Sequence, residues 1–422
     1  MEIAAKKAGN KLSIEEIEAA YNRIREVVTE TPFLENYSLS KKYECSVLLK
    51  REDMQTVRSF KIRGAYNKIR SLSEAELKNG IVCASAGNHA QGVALSCAKL
   101  KIKGTIFMPH PTPNQKVNKV KQFGGDWIEV ILTGDTFDDA YVSALASSEA
   151  EQKVFIHPFN DPEVIAGQAT IAIEMLKQTD KPLDYLFVAV GGGGLISGVG
   201  SYFKQISPST KIIAVESSGA AALDASLKNG SLTSLEKIDS FADGIAVKEI
   251  GDLTYKIISE VLDENITIPE GAICSSILSL YNEDAIVVEP AGAVSIAALE
   301  YYKDEIKGKN VGIIVCGGNN DVNRTQEIRE RALLHEGKKH YFIIRFPQRA
   351  GALKEFLNVL GPNDDIAHFE YTKKTNRASG PALVGIEVQN KSDFDTLVAR
   401  MKTEGINFEH INDNPMLFEM LV

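Results

Sequence analysis

Residues 185–200 read YLFVAVGGGGLISGVG: six apolar, largely β-prone residues, four consecutive glycines, then a run whose apolar spacing turns helical. A strand that passes through side-chain-free backbone into a helix lets several N–H groups converge beside the helix's positive end, which is the geometry of a phosphate cradle. No Gly-Lys-Ser/Thr follows, so this is not a nucleotide P-loop. No GxGxxG with a ribose-binding acid about twenty residues on is present either. A tight glycine turn without a ligand is the plain alternative. A flexible linker fits less well, because linkers seldom join a buried strand to an amphipathic helix.

Outward from this stretch the same alternation repeats. Candidate strands lie at 46–52, 80–85, 104–109, 126–132, 154–159, 185–190, 211–217, 285–290 and 311–318, separated by amphipathic segments. This is the pattern of a mostly parallel sheet covered on both faces, so the class is α/β. Nine strands exceed one ordinary sheet. Two lobes with a cleft between them are expected, with ligands beyond the carboxyl ends of the strands. After Asn320 a charged, helix-like connector leads to a second unit near His340. Its order is strand 341–346, helix 349–360 with Leu353, Phe356, Leu357 and Leu360 on one face, strands 366–371 and 382–389, helix 392–405 and strand 407–412. That order is βαββαβ, a ferredoxin-like fold.

Composition narrows the function classes. The chain has 422 residues, 44% apolar and 24% charged, as folded water-soluble proteins do. Its 47 Lys and Arg against 56 Asp and Glu give a net charge of −9, which favours neither nucleic acid nor anionic membrane as partner. The opening residues MEIAAKKAGNKLSIEEIEAA lack an apolar core for export, and the longest apolar stretch, 186–199, is too short and glycine-broken to span a bilayer. Five cysteines without a CxxC pair suggest neither zinc nor disulfides, so a cytoplasmic location is expected.

Two further motifs carry chemistry. In VRSFKIRGAYNKI (57–69), Lys61 follows Ser59, which can cap a helix, and Phe60, which can desolvate an amine. Desolvation lowers a lysine's pKa and frees it to attack a carbonyl, although a lysine by itself is most simply a solvated helix residue. In ASAGNHAQGVALS (84–96), a strand runs into a helix whose first turn holds Asn88, His89 and Gln91. Ser85 and the turn's N–H groups can hold a carboxylate, and the Asn88 amide can bond a phenolate. The bland reading is an ordinary turn with Asn88 as cap and His89 packed.

A desolvated lysine, a carboxylate-sized helix start and a phosphate-sized glycine turn without a ribose site together match the needs of pyridoxal 5′-phosphate. With RSFKIRGA, SAGNHAQG and GGGGL in this order, the chain resembles the fold-type II pyridoxal-phosphate enzymes and, among them, the threonine dehydratases. The resemblance covers nearly the whole chain. It implies a two-lobed catalytic part, like the tryptophan synthase β subunit, over residues 1–325, with a small lobe at about 50–155 inserted in the large one. A connector (326–338) and an ACT-like regulatory domain (339–422) follow.

The same resemblance implies that Lys61 carries the cofactor and acts as catalytic base, that Phe60 packs near its ring, and that Asn88 bonds the ring's 3′-oxygen. Gly191, Gly192, Gly193 and Gly194, with Leu195, hold the phosphate, and Cys316 faces the pyridine nitrogen. Ser85, Gly87, Asn88 and His89 hold the substrate carboxylate; Glu289 and Gly292 line the pocket. The implied reaction is β-elimination of L-threonine to 2-oxobutanoate and ammonia, the first step of isoleucine biosynthesis, with L-serine as secondary substrate. Ala86 stands where related serine racemases carry a second serine, which sets racemisation behind elimination. Glu216 matches a cation-binding position of some relatives, but its companion acid is not evident and no metal is assigned. Isoleucine or valine is the implied effector, near Arg349 and Gly351, and the family is usually a homo-oligomer, tetramer or dimer. Cysteine synthase and threonine synthase are the alternatives within the fold type. A catalytically silent amino-acid-binding regulator is the alternative outside it, against which intact Lys61, Asn88 and the glycine turn argue.

Overall fold

The computed structural model describes residues 10–373 and 376–414. The ends of the expected catalytic and regulatory parts, residues 1–9 and 415–422, and residues 374 and 375 lie outside the described residues. Two compact units are present, one built from the chain up to Pro269 with Leu280–Asn320, the other from Glu270–Ser279 with the chain after Asp321.

The first unit holds β1 (Phe33–Glu35), β2 (Ser46–Arg51), β3 (Ile81–Ala84), β4 (Gly104–Met108), β5 (Ile128–Leu132), β6 (Val154–Phe155), β7 (Tyr185–Ala189), β8 (Lys211–Ser217), β9 (Glu264–Ile268) and β10 (Asn310–Val315). They form two sheets, β1-β2-β10-β7-β8-β9 and β5-β4-β3-β6. All pairings are parallel except β1 on β2. The central strands β7, β8 and β10 are buried at nearly every position because helices cover both of their faces. Strand β5, at the edge of the smaller sheet, is only half-buried.

Three expectations change. Residues 285–290 are not a strand: Ala285, at φ +54°, ends the helix Glu270–Asp284, and Glu289 opens the helix Pro290–Ala297. Pro290 has no N–H for a ladder and suits a helix's first turn. The strand expected over 154–159 stops at Phe155, ahead of Pro158. Strands β1 and β9 went unread: β1 is three residues long, and β9 is half-buried with no clean alternation.

Beneath Lys61 lies a closed group of four charges. Arg63 makes paired contacts with Glu52 (2.8 and 2.8 Å) and Glu174 (2.6 and 2.7 Å), and Lys50 bonds Glu174 at 2.6 Å. All four side chains are essentially buried. Two cations against two anions leave no net buried charge, the condition under which such a group is tolerated. It ties the helix Lys61–Ser71 to β2's end and to the helix Pro162–Lys177.

In the second unit, β11 (Lys339–Pro347), β12 (Asp365–Tyr371), β13 (Ser379–Glu387) and β14 (Phe408–His410) form an antiparallel sheet ordered β12-β13-β11-β14. The helices Ala352–Leu357 and Asp393–Thr403 complete the ferredoxin-like βαββαβ. The buried face of the first helix is Ala352 and Phe356, continued by Val359; Leu353 and Leu357 are exposed, contrary to the expected stripe. The correct register is i, i+4, i+7 from Ala352.

Candidate active site

The helix Lys61–Ser71 starts without a side-chain cap. The expected Ser59 cap is not made: its hydroxyl is buried with no partner among the described residues. Main-chain pairing does the work instead. Ser59 bridges Gly317, and Phe60 N–H donates to the Cys316 carbonyl at 3.1 Å. The lysine is thereby stitched to the turn after β10 through Phe60 and Cys316, which stand 256 positions apart, a pairing no local pattern announces. Lys61 Nζ donates to the Pro158 carbonyl at 2.9 Å and lies 5.3 Å from the centre of the Phe60 ring. Burial lowers its pKa to about 8, although the nearby Cys316 and Glu289 pull the other way.

Across the cavity from this amine the glycine turn leads from β7 into the helix Gly194–Ile206. Gly193, at φ +88°, occupies the left-handed region. A Cβ at Gly192 would lie 2.3 Å from the Phe159 ring. The turn therefore admits no side chains, and its carbonyl at Gly192 is held by Thr254 Oγ1 at 2.7 Å. Lys61, Phe60, Asn88, Gly191–Gly194, Leu195 and Cys316 line one cavity, at the carboxyl ends of β7 and β10. Glu289, Phe159 and Ile245 share the same wall.

Asn88 is the first residue of the helix Asn88–Leu100, and its Nδ2 donates to Glu289 Oε1 at 2.6 Å. Burial raises the Glu289 pKa to about 7; the Asp243 charge adds to this and the Asn88 hydrogen bond opposes it. Cys316 Sγ donates to the Ala291 carbonyl at 3.1 Å, and burial pushes the thiol well above its ordinary pKa, so it stays protonated. Gly292 packs against the Gly317 carbonyl, where a Cβ would meet it at 2.3 Å.

Ser85, Gly87 and His89 surround the helix start without lining this cavity. Ser85 Oγ accepts from Gly87 N–H at 3.2 Å. The His89 ring bonds the Ile156 carbonyl through Nε2 at 2.9 Å, and its pKa falls to about 3 through burial and the Lys61 charge. A neutral ring with that partner carries its proton on Nε2, so only the main-chain N–H of His89 remains for a carboxylate. Glu216 is buried and accepts from the N–H groups of Leu223 (2.7 Å) and Asp224 (2.8 Å), fastening the helix Ala222–Asn229.

The segment His157–Asn160, which no motif announces, also shapes the site. His157 Nδ1 accepts from Phe159 N–H (3.2 Å) and Asn160 N–H (2.8 Å), shaping a turn that presents the Pro158 carbonyl to Lys61 and the Phe159 ring to the glycines. Burial lowers the His157 pKa to about 4, keeping that nitrogen an acceptor. The available signal was Pro158, which demotes any run that contains it from central strand.

A buried amine, a backbone cradle whose Cβ positions are blocked, and a protonated thiol facing the same space fit pyridoxal phosphate, with the cradle for its phosphate and the amine for its aldehyde. Fold and site together define a fold-type II pyridoxal-phosphate enzyme.

Comparison with known proteins agrees. Residues 24–317 match the pyridoxal-phosphate dependent enzyme family and residues 330–421 the C-terminal regulatory domain of threonine dehydratase. The biosynthetic L-threonine dehydratase of Bacillus subtilis (strain 168) is 56% identical over 99% of both chains. That of Halalkalibacterium halodurans is 55% identical over 98% of this chain and 100% of its own. The processed form of threonine deaminase isoform 2 from Solanum lycopersicum superposes with a TM-score of 0.72 at 40% identity, covering 77% of this chain and 96% of its own. The chain belongs to the threonine dehydratase family.

Proposed function

We propose that this chain is an L-threonine ammonia-lyase that converts L-threonine to 2-oxobutanoate and ammonia, the first step of isoleucine biosynthesis, under feedback control by branched-chain amino acids. The observation that carries the reading is the desolvated Lys61 amine sharing one cavity with the side-chain-free turn Gly191–Gly194. Full-length identity to biosynthetic threonine dehydratases supports the substrate.

Bound pyridoxal phosphate supplies an electron sink for the charge left when the α-proton departs. The protein supplies the rest. Gly191–Gly194 and Leu195 hold the phosphate through N–H groups at a helix start. Phe60 would pack beside the ring, and Asn88 Nδ2 would serve its phenolic oxygen. Cys316 keeps its proton on Sγ and spends it on the Ala291 carbonyl, so a ring nitrogen beside it would gain at most a weak hydrogen bond, which favours elimination over chemistry that needs a long-lived carbanion. Ser85, Gly87, Asn88 and His89 receive the substrate carboxylate, the last through its main chain. Lys61 Nζ would take the α-proton; an amine with a pKa of about 8 keeps a minor but sizeable neutral fraction near physiological pH. L-Serine follows the same route, since one methyl group discriminates by only about 1–3 kcal/mol.

The reading divides the chain into a catalytic part (1–325), a connector (326–338) and an ACT-like regulatory part (339–422). In the last, a pocket lined by Phe346, Arg349, Gly351, Leu353, Tyr371 and Lys373 suits a small amino acid, with the apolar residues for an isoleucine or valine side chain and the Arg349 guanidinium, which pairs with Glu355 at 2.7 Å through both terminal nitrogens, for its carboxylate once that pair opens. We assign the protein to the cytoplasm and expect a homo-oligomer, dimer or tetramer. Exposed Tyr37, Leu34 and Tyr281 support assembly. Assay of the purified protein with threonine, serine and isoleucine tests the whole reading: 2-oxobutanoate from threonine, inhibited by isoleucine, is expected, and no product from threonine with pyridoxal phosphate added would overturn it.

A further inference from the structure

The side-chain amide of Asn88 has a definite direction, and the cause lies outside the three motifs. Asn319 Nδ2 donates to the Val57 carbonyl at 2.8 Å and to Asn88 Oδ1 at 2.8 Å. A carbonyl can only accept, so Val57 fixes which end of Asn319 is the amine. That amine in turn fixes Asn88 Oδ1 toward Asn319 and Asn88 Nδ2 toward Glu289 and the cavity. The second Nδ2 hydrogen of Asn88 has no partner among the described residues.

We propose that Asn319 is a positioning residue of the cofactor site, setting the Asn88 amide so that an N–H rather than a carbonyl faces the cavity, where it serves an anionic ring oxygen. This rests on the pyridoxal-phosphate reading above. Glu289 cannot set the direction by itself. With its carboxyl raised to about 7 it is donor or acceptor near neutrality and tolerates either Asn88 orientation. Asn319, anchored on main chain, removes that ambiguity. The main-chain N–H of Asn319 also draws the Glu289 pKa down, so one residue acts on both groups.

The test titrates full-length apo-protein with pyridoxal phosphate, reading the dissociation constant and the absorption maximum of the complex. A wild-type protein that forms no coloured complex overturns the cofactor reading itself. With wild type coloured, Asn319→Ala is expected to bind the cofactor about tenfold to a hundredfold more weakly, with a displaced absorption maximum. Asn88→Ala should do the same, and the double variant should be no worse than Asn88→Ala because both changes remove one interaction. If Asn319→Ala does not fold, the isosteric Asn319→Leu is read in its place. Wild-type affinity and absorption in a folded Asn319 variant, or losses that add in the double variant, would overturn the proposal.

Discussion

Lys61 owes its reactivity to its surroundings. An amine in water holds its proton at neutral pH, whereas this one, buried, has a pKa of about 8. Only the neutral amine attacks an aldehyde. Cofactor uptake by apo-protein should therefore rise about tenfold per pH unit below 8 and level off above it, as stopped-flow absorbance at several pH values will show; a midpoint near 10.5 would mean the amine is solvated. Two residues on, Arg63 has a different task. Removing it in Arg63→Ala strands Glu52 and Glu174 in the interior with only Lys50 between them, so a loss of about 3–5 kcal/mol in urea unfolding is expected. Lys61 could be read from its neighbours Ser59 and Phe60, even though Ser59 does not cap the helix. The charge group could not, because its members stand at 50, 52, 63 and 174 and share no local pattern.

At the scale of elements, the glycine turn is legible because four glycines between strand and helix have few other uses. Why each must be glycine is a tertiary matter: the Phe159 ring blocks Gly192, and the backbone angle alone excludes ordinary residues at Gly193. Gly192→Ala should displace the ring or the turn and weaken cofactor binding at least about tenfold, measured by titration of apo-protein, while the far-ultraviolet circular dichroism is unchanged. The segment 285–290 shows the opposite case. Its β-branched run reads as a strand, yet a helix end at Ala285 and a proline at the next helix start leave it irregular, and this delivers Glu289 to the cavity. Propensity lost there to capping and packing. The helix Ala352–Leu357 is legible in the sequence but its buried face is not, since leucines on a short exposed helix imitate a core stripe.

For the whole molecule, the two lobes of the catalytic unit meet through ion pairs as well as through the cavity. Lys116 pairs with Asp243, and Lys248 with Asp138 at 2.8 Å, both joining the segment beside Gly244 and Ile245 to helices flanking the smaller sheet. Being partly exposed, each contributes at most about 1 kcal/mol. In the regulatory unit, Arg349→Ala should leave turnover of threonine within about twofold and raise the isoleucine concentration for half-inhibition about tenfold or more, read from inhibition curves on the full chain. Unchanged inhibition would move the effector site elsewhere.

The residues themselves determined the α/β class, the βαββαβ tail and the three motifs around Lys61, Asn88 and Gly191–Gly194, because alternation, glycine runs and strand-to-helix turns are local properties of a chain; Cys316 came only from the family resemblance, and the structure places it in the same cavity. Only the tertiary structure decided the rest: that Phe60 hangs from Cys316, that the His89 ring turns to Ile156, that Pro158 receives the Lys61 amine, and that Asn319 and Val57 orient Asn88. Each of these is a contact between distant positions, and burial, hydrogen-bond direction and shifted pKa values arise from such contacts once the chain has closed on itself.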